Sequence, residues 1–240
     1  MYGNDSAELY DLLHSARGKD FEGEAAAVAA LVDDRMPGAG SLLDIACGTG
    51  AHLARFAERY DHVEGVEISG PMLELARDRL PGVPLTLGDM RDFDLGRRFD
   101  AAVCLFGSIG YVDSADELDA TLRSFARHLN PGGVLVVEPW WAPDTFTPGH
   151  VSADVIEVDG THVARVSHAS LATPAGDASL MRVHYTVAHR DHGVRHFAED
   201  HVCRLFGSDR YEAAFTAAGF AFERVASPVS ARGFLVGVRK

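Results

Sequence analysis

The sequence predicts an α/β fold in which a doubly wound, mostly parallel sheet carries an antiparallel β insertion after its fifth strand. Three observations predict it. Between residues 41 and 138, short strands that are apolar on both faces alternate with helical stretches, as βαβ units do in a sheet covered on both sides. A glycine-rich turn follows the first of these strands. Beyond Trp141 the periodicity changes to alternation with period two, which reads as antiparallel strands.

Residues 5–16 and 22–36 read as helices. In the second, Ala25, Val28, Ala29, Leu31 and Val32 recur near helical spacing, and Pro37-Gly38-Ala39-Gly40 breaks the chain. Ser41 to Ala46 is a short apolar strand, followed by the glycine turn and a helix over 51–59. His62 to Glu67 reads as the second strand, 70–80 as a helix, and Leu85 to Gly88 as a short third strand. Phe99 to Phe106, nearly continuous in apolar residues, is the fourth. An amphipathic helix over 114–129 ends at Asn130-Pro131-Gly132-Gly133, and Val134 to Glu138 is the fifth strand. Right-handed crossovers restrict such a chain to a doubly wound topology. Stretches 151–158, 162–170, 180–189 and 193–205 alternate, as in Arg182-Val183-His184-Tyr185-Thr186-Val187, and place the antiparallel insertion within 142–207. A helix over 208–218, closed by Gly219, and strands near 220–226 and 233–238 are expected to return to the main sheet. Residues 1–240 thus read as one domain with an insertion.

Composition narrows the function classes. The chain is 47% hydrophobic, enough for a sizeable core without disulfides or metals. It carries 35 Asp and Glu against 22 Lys and Arg, a formal charge of −13, with no basic run. A phosphate backbone rewards clustered cations, so nucleic acid is not an expected partner. Three dispersed cysteines, Cys47, Cys104 and Cys203, form no CxxC pair and suit a reducing, cytoplasmic setting. The opening residues have no basic stretch ahead of an apolar run, and no apolar run is long enough to span a bilayer. Neither a secretory leader nor a membrane partner is expected.

The densest chemical signal is Asp44-Ile45-Ala46-Cys47-Gly48-Thr49-Gly50, where the first strand feeds the first helix of the sheet. Gly48 and Gly50 let the backbone turn tightly and approach a ligand. The helix N-terminus offers free N–H groups to a carboxylate. Cys47, inside the turn, reads as a small buried residue without a redox role. A dinucleotide fingerprint would need a third glycine where Leu53 stands, which disfavours a nicotinamide enzyme. Glu67 ends the second strand and can accept from two ribose hydroxyls. Asp89, in Gly88-Asp89-Met90, can accept from an adenine amine, with Met90 covering the ring.

These motifs, in this order across about residues 40–138, resemble the class I S-adenosyl-L-methionine (SAM)-dependent methyltransferases with their Rossmann-like sheet. The resemblance implies SAM as cofactor and S-adenosyl-L-homocysteine as its product. Further segments are similar to a narrower group, the N,N-dimethyltransferases of dTDP-linked amino sugars in macrolide pathways such as desosamine and mycaminose. They include Glu8 to Leu12, Gly18-Lys19-Asp20, Gly88 to Phe93, Leu95 to Phe99, Glu138-Pro139-Trp140-Trp141, Arg165 to His168, Tyr211 to Gly219 and Arg232-Gly233.

That resemblance implies a nucleotide-linked amino sugar as substrate, a 3-amino-3,6-dideoxyhexose in preference to a 4-amino isomer, and a homodimer. It implies that the N-terminal segment covers SAM, with Tyr2 and Tyr10 near the sulfonium and the substrate. Aromatic faces and phenolic oxygens attract such a cation. It implies Tyr111 near the target amine, where one family member has histidine. Arg232 is implied at the pyrophosphate, a task suited to a planar fork of donors. Ser108, Glu138, Trp140, Trp141, Arg165 and His168 are further substrate-side candidates.

Methyl transfer to an amine is an in-line displacement that needs the free base and accurate positioning. No strong base is required, and no metal is expected although five histidines lie between His184 and His201. Other readings are a methyltransferase of another small molecule and a non-catalytic cofactor-fold subunit. Intact Gly48, Gly50, Glu67 and Asp89 disfavour the second.

Overall fold

The structure, a computed structural model, describes residues 4–158 and 160–240, without the side chains of residues 4, 5, 6 and 8. Two helices come first, α1 (Asn4–Ala16) and α2 (Phe21–Asp33). Asp20 caps α2 by accepting from Gly23 N, which satisfies one of the free donors of a helix start.

The main sheet has seven strands. β1 (Ser41–Ile45), α3 (Ala51–Ala57), β2 (His62–Glu67), α4 (Gly70–Arg79), β3 (Leu85–Leu87) and β4 (Phe99–Cys104) follow one another. A short 3-10 turn at Ser108–Tyr111, α5 (Ala115–Arg127) and β5 (Leu129–Val137) complete the βαβ series. Serine side chains cap both longer helices: Ser69 accepts from Met72 N and Ser114 from Glu117 N.

β6 (Val151–Val158), β7 (Thr161–Leu171), β8 (Ala178–His189) and β9 (Gly193–Arg204) form a separate four-stranded antiparallel sheet. α6 (Ser208–Ala217), β10 (Phe220–Val225) and β11 (Phe234–Arg239) then close the main sheet as an antiparallel hairpin. The order is β10-β11-β5-β4-β1-β2-β3, with β1 to β5 parallel. Chain order therefore reverses between β1 and β4, and the crevice beyond their carboxyl ends is where such sheets bind ligands.

Some boundaries differ from the sequence expectation. β4 ends at Cys104, because Phe106 turns to φ 58° and its N–H donates to Glu138 Oε2. β5 begins at Leu129, so Asn130 to Gly133 lies within the strand rather than before it.

Alternation explains the two faces of the main sheet. Leu43, Ile45, Ala102 and Cys104 pack against α5 and α6 through Phe125 and Phe215. Leu42, Ala101 and Val103 point the other way, toward Val28 of α2 and Phe56 of α3. All are fully buried. α1 belongs to a third cluster. Its Leu9 and Leu13, one helical turn apart, pack on Val163, Val183, Tyr185 and Val187 of the antiparallel sheet. The second sheet and the N-terminal helix thus roof the carboxyl edge of the first.

Candidate active site

Two cavities lie under this roof. The first, of about 270 Å³, opens at the ends of β1, β2 and β3. Gly48 has φ 56° and no neighbour within 4 Å of where a Cβ would stand, so its backbone faces open space. Ala46, two residues earlier, also has positive φ, 59°. A non-glycine residue adopts that conformation only where its surroundings impose it. Glu67 supplies the constraint: it accepts from Gly48 N at 2.9 Å and from Ser69 N at 2.8 Å. Each carboxylate oxygen keeps further acceptor capacity toward the cavity. Burial raises the Glu67 carboxyl above its ordinary value, opposed by those backbone donors.

Asp44, at the floor beneath the turn, is 2% exposed. Its carboxyl makes no hydrogen bond to any described residue, and burial, then Glu67, pushes it well above the usual carboxylate range. Such a group lacks a cationic or donor partner. Asp89, Met90, Ser69 and Met72 line the far end of the same cavity. Arg91 holds the Asp89 carboxylate in a fork, Nε at 2.9 Å and Nη2 at 2.6 Å, and so keeps it below its ordinary value.

α1 is clipped over the glycine turn. Thr49 Oγ1 donates to Asp11 Oδ1 at 2.7 Å, and Arg79 donates both to Asp11 Oδ2 at 2.5 Å and to Thr49 O. The clip brings Tyr10 to the cavity wall.

The second cavity, of about 290 Å³, lies between α1, the 3-10 turn and the inner face of the antiparallel sheet. Alternation on β7 sends Arg165 and Ser167 inward, where Arg165 Nη1 donates to Ser167 Oγ at 3.2 Å. Arg17 of α1 joins it, with Nε 3.3 Å from Asp154 Oδ2. Arg232 enters from the loop before β11 and donates to Glu138 Oε1 at 2.5 Å. Glu138, 6% exposed, also accepts from Ser230 Oγ and Phe106 N. The indoles of Trp140 and Trp141 lie 5.5 and 5.7 Å from the guanidinium. Gly107, just before the 3-10 turn, and Gly110, within it, make room for Trp140; an added Cβ would come within 2.8 and 2.7 Å of it. Tyr10, Ser108 and Tyr111 line both cavities and form the wall between them.

Of the sequence candidates, Tyr10, Gly48, Glu67, Asp89 and Met90 meet around the first cavity, with Asp44 and Cys47 lining a small adjoining space. Gly50, at φ 75°, packs against Leu80 and Ala76 of the following helix and does not line the cavities. Ser108, Tyr111, Trp140, Arg165 and Arg232 meet at the second cavity, and Trp141 stands beyond Arg232 in a side niche. Two candidates are not brought there. Glu138 is consumed in holding Arg232, Ser230 and Phe106 rather than lining the space. His168 sits one residue out of step with Ser167, on the exposed outer face of β7. Tyr2 lies outside the described residues.

Sequence reasoning passed over His14, Arg17, Tyr185 and His201, all of which line the second cavity. His14 follows Tyr10 by one helical turn, a spacing that could have flagged it. Burial, then the charges of Lys19, Arg17 and Arg165, lowers it to about 4. Among the described residues no cluster of His, Cys, Asp or Glu is gathered for a metal ion, and no helix is long and apolar enough to cross a membrane.

The open backbone at Gly48, the spare acceptor capacity of Glu67 and the unpartnered Asp44 fit SAM, which presents a carboxylate, an ammonium and ribose hydroxyls. Known proteins point the same way. A methyltransferase-domain family model matches residues 42–133. The chain is 52% identical, over 99% of both chains, to the dTDP-3-amino-3,4,6-trideoxy-alpha-D-glucopyranose N,N-dimethyltransferase of Streptomyces venezuelae. It is 51% identical, over 99% of its length and 92% of the relative's, to the dTDP-3-amino-3,6-dideoxy-alpha-D-glucopyranose N,N-dimethyltransferase of Streptomyces fradiae. A dTDP-4-amino-2,3,4,6-tetradeoxy-D-glucose N,N-dimethyltransferase of Saccharopolyspora spinosa is 46% identical over 100% and 94%. Among solved structures, DesVI of Streptomyces venezuelae superposes with a TM-score of 0.94 at 51% identity, covering all of both chains. A SAM-bound amino pentose methyltransferase of calicheamicin biosynthesis from Micromonospora echinaspora gives 0.88 at 42% identity, covering 97% of each.

Proposed function

The chain belongs to the dTDP-amino-sugar N,N-dimethyltransferases, and from that premise we propose that it methylates, twice, the amino group of a dTDP-3-amino-3,6-dideoxyhexose in antibiotic deoxysugar biosynthesis. It is a SAM-dependent methyltransferase. The observation that carries the substrate reading is the shared wall of Tyr10, Ser108 and Tyr111 between a carboxylate-lined cavity and an arginine-lined one. SAM supplies an electrophilic methyl on a cationic sulfur. Glu67 accepts from its ribose, Asp44 faces its ammonium, the Gly48 turn receives its carboxylate, and Asp89 with Met90 holds the adenine. Tyr10 covers the sulfonium from α1.

On the other side, Arg232, Arg165 and Arg17 meet the negative charge of a diphosphate, which planar donor forks suit. Trp140 walls the sugar. Tyr111 and Ser108 place the amine at the boundary. Fixing it in near-attack geometry is worth up to about 7–11 kcal/mol of barrier, so positioning carries much of the rate and no strong base is needed.

We also read the enzyme as a cytoplasmic homodimer. The outer face of the antiparallel sheet exposes Val151, Val155, Val166, Val194 and Val202 among its polar residues, and exposed apolar residues gathered on one sheet face are suited to self-association. Sedimentation at micromolar concentration tests it; a monomer would reject it.

The deciding experiment incubates the protein with SAM and a dTDP-3-amino-3,6-dideoxyhexose and follows mass. Two successive methylene gains are expected. A single gain would reject dimethylation. No gain, with SAM binding retained in calorimetry, would reject this acceptor and direct the assay to the 4-amino isomers, the alternative for which the 46% identical relative speaks.

A further inference from the structure

Five histidines lie between residues 184 and 201, and His201 is the member of that set that lines the second cavity. Alternation on β9 turns it inward, and the residue is 3% exposed. Tyr111 Oη lies 2.8 Å from its Nδ1. Its Nε2 lies 3.5 Å from Glu199 Oε2, two residues earlier on the same strand face. The tautomer that this carboxylate favours carries its proton on Nε2, and in that tautomer Nδ1 keeps the lone pair that receives the Tyr111 O–H. With its own proton so engaged, the phenol oxygen presents lone pairs to its surroundings. Those surroundings are the boundary of the two cavities, since Tyr111 lines both.

We infer that His201, backed by Glu199, holds the Tyr111 hydroxyl as a hydrogen-bond acceptor for the substrate amine, and that this acceptor sets the number of methyl groups transferred. The inference rests on the dimethylation reading above. A neutral primary amine has two N–H bonds and one lone pair. Donating one N–H to Tyr111 turns the lone pair toward the methyl. Transfer then forms the N–C bond and breaks the S–C bond, whose electron pair stays on sulfur. The alkylated nitrogen returns to neutrality by giving a proton to water.

The secondary amine has a single N–H left. Only one orientation places it on Tyr111 and aims the lone pair at a second methyl, so the second transfer depends on the acceptor more than the first. A neutral tertiary amine has no N–H. Nothing then turns its lone pair, and the series stops at two. In this arrangement Tyr111 touches the substrate and His201 is a positioning residue that acts through it.

The test compares released monomethyl and dimethyl product at fixed conversion for His201→Phe, His201→Asn and Tyr111→Phe, with SAM affinity measured by calorimetry. His201→Phe keeps an aromatic ring, though a larger one, and removes the acceptor. Asparagine restores an amide oxygen near the Nδ1 place. The expected result is a monomethyl share raised on the order of tenfold in His201→Phe and Tyr111→Phe, about the size of one lost neutral hydrogen bond. SAM affinity stays unchanged, His201→Asn returns toward the wild-type ratio, and the double variant is no worse than Tyr111→Phe alone. A wild-type ratio in His201→Phe, or an asparagine variant as defective as phenylalanine, overturns the inference. Should His201→Phe not fold, an unchanged ratio in Tyr111→Phe overturns it equally. A wild-type enzyme that yields no dimethyl product rejects the dimethylation reading itself, before any variant is compared.

Discussion

The two cavities share a wall and differ in how they are built. The first is made at the ends of parallel strands, from backbone donors of the Gly48 turn and from the carboxylates of Glu67 and Asp89, with Asp44 just below. The second is made from inward-facing positions of an antiparallel sheet and from arginines of three separate segments, Arg17, Arg165 and Arg232. One concave surface is acidic and the other basic, although the chain as a whole carries −13. Local arrangement of charge, not net charge, selects the ligand. A cationic methyl donor and an anionic sugar nucleotide can thus be sorted to opposite sides of Tyr10, Ser108 and Tyr111, with only the reacting groups meeting at the wall.

Breaking one side and leaving the other intact tests this division. The largest effect is expected from Glu67→Ala. It removes the proposed acceptor for ribose and strands the Gly48 and Ser69 N–H groups it now satisfies. Hydrogen bonds to a charged group are worth roughly 1.5–3 kcal/mol each. SAM affinity should fall about a hundredfold in calorimetry, with sugar-nucleotide binding unchanged. Equal loss on both sides would mean the cavities are not independent. On the basic side, Arg232→Lys keeps the charge that Glu138 needs but loses the fork. KM for the sugar nucleotide should rise about tenfold, near 1.4 kcal/mol, with SAM affinity unmoved. An unchanged KM would remove Arg232 from the diphosphate.

The same contrast explains what could be read from the chain alone. The parallel sheet was legible because its strands are apolar on both faces, and the residues that line its cavity sit within a few positions of strand ends. Gly48, Glu67 and Asp89 could be found by position in the βαβ series. The second cavity depends on which face of a strand each residue takes and on which loop returns beside it. Arg165 and His168 stand three apart on β7, so alternation sets them on opposite faces, and only the packing of the sheet over the cavity shows that Arg165 is the inward one. Glu138 reads as a substrate acid from its place after β5, yet its oxygens are taken by Ser230, Arg232 and Phe106, two of them more than ninety residues away. His201 meets Tyr111 across ninety residues, a pairing that no local spacing announces.

His14 offers a way to sharpen the comparison through pH. It bridges the regions, its ring tilted against Tyr10 at 4.5 Å and meeting Phe106 edge-on at 4.9 Å. Burial and nearby cations lower it from 6.5 to about 4, so the folded protein favours the neutral ring. The unfolded chain therefore binds more protons between these values, and stability falls as pH drops through that window. From pH 7 to pH 5 the loss from this residue is somewhat under 2 kcal/mol. Urea denaturation of His14→Gln at both pH values should show a pH-dependent loss smaller by about that amount. An identical loss in wild type and variant would mean that His14 is not held neutral in the fold.

The smallest effect belongs to His168, and its smallness is informative. Sequence proximity to Arg165 made it a candidate for the sugar or phosphate, but strand alternation places it beside Val151 of β6 and Arg182 of β8 on the outer face. A surface residue away from caps, buried pairs and special backbone changes stability by no more than about 0.5 kcal/mol when truncated. His168→Ala should leave kcat and KM for both ligands within about twofold. The inward residue next to it supplies the control: Ser167→Ala removes the acceptor of Arg165 and should raise KM for the sugar nucleotide, by several-fold, while sparing SAM. If His168→Ala had the larger effect on that KM, the substrate would have to reach the outer face of the antiparallel sheet, and the division into an acidic and a basic cavity under one roof would fail at its basic half.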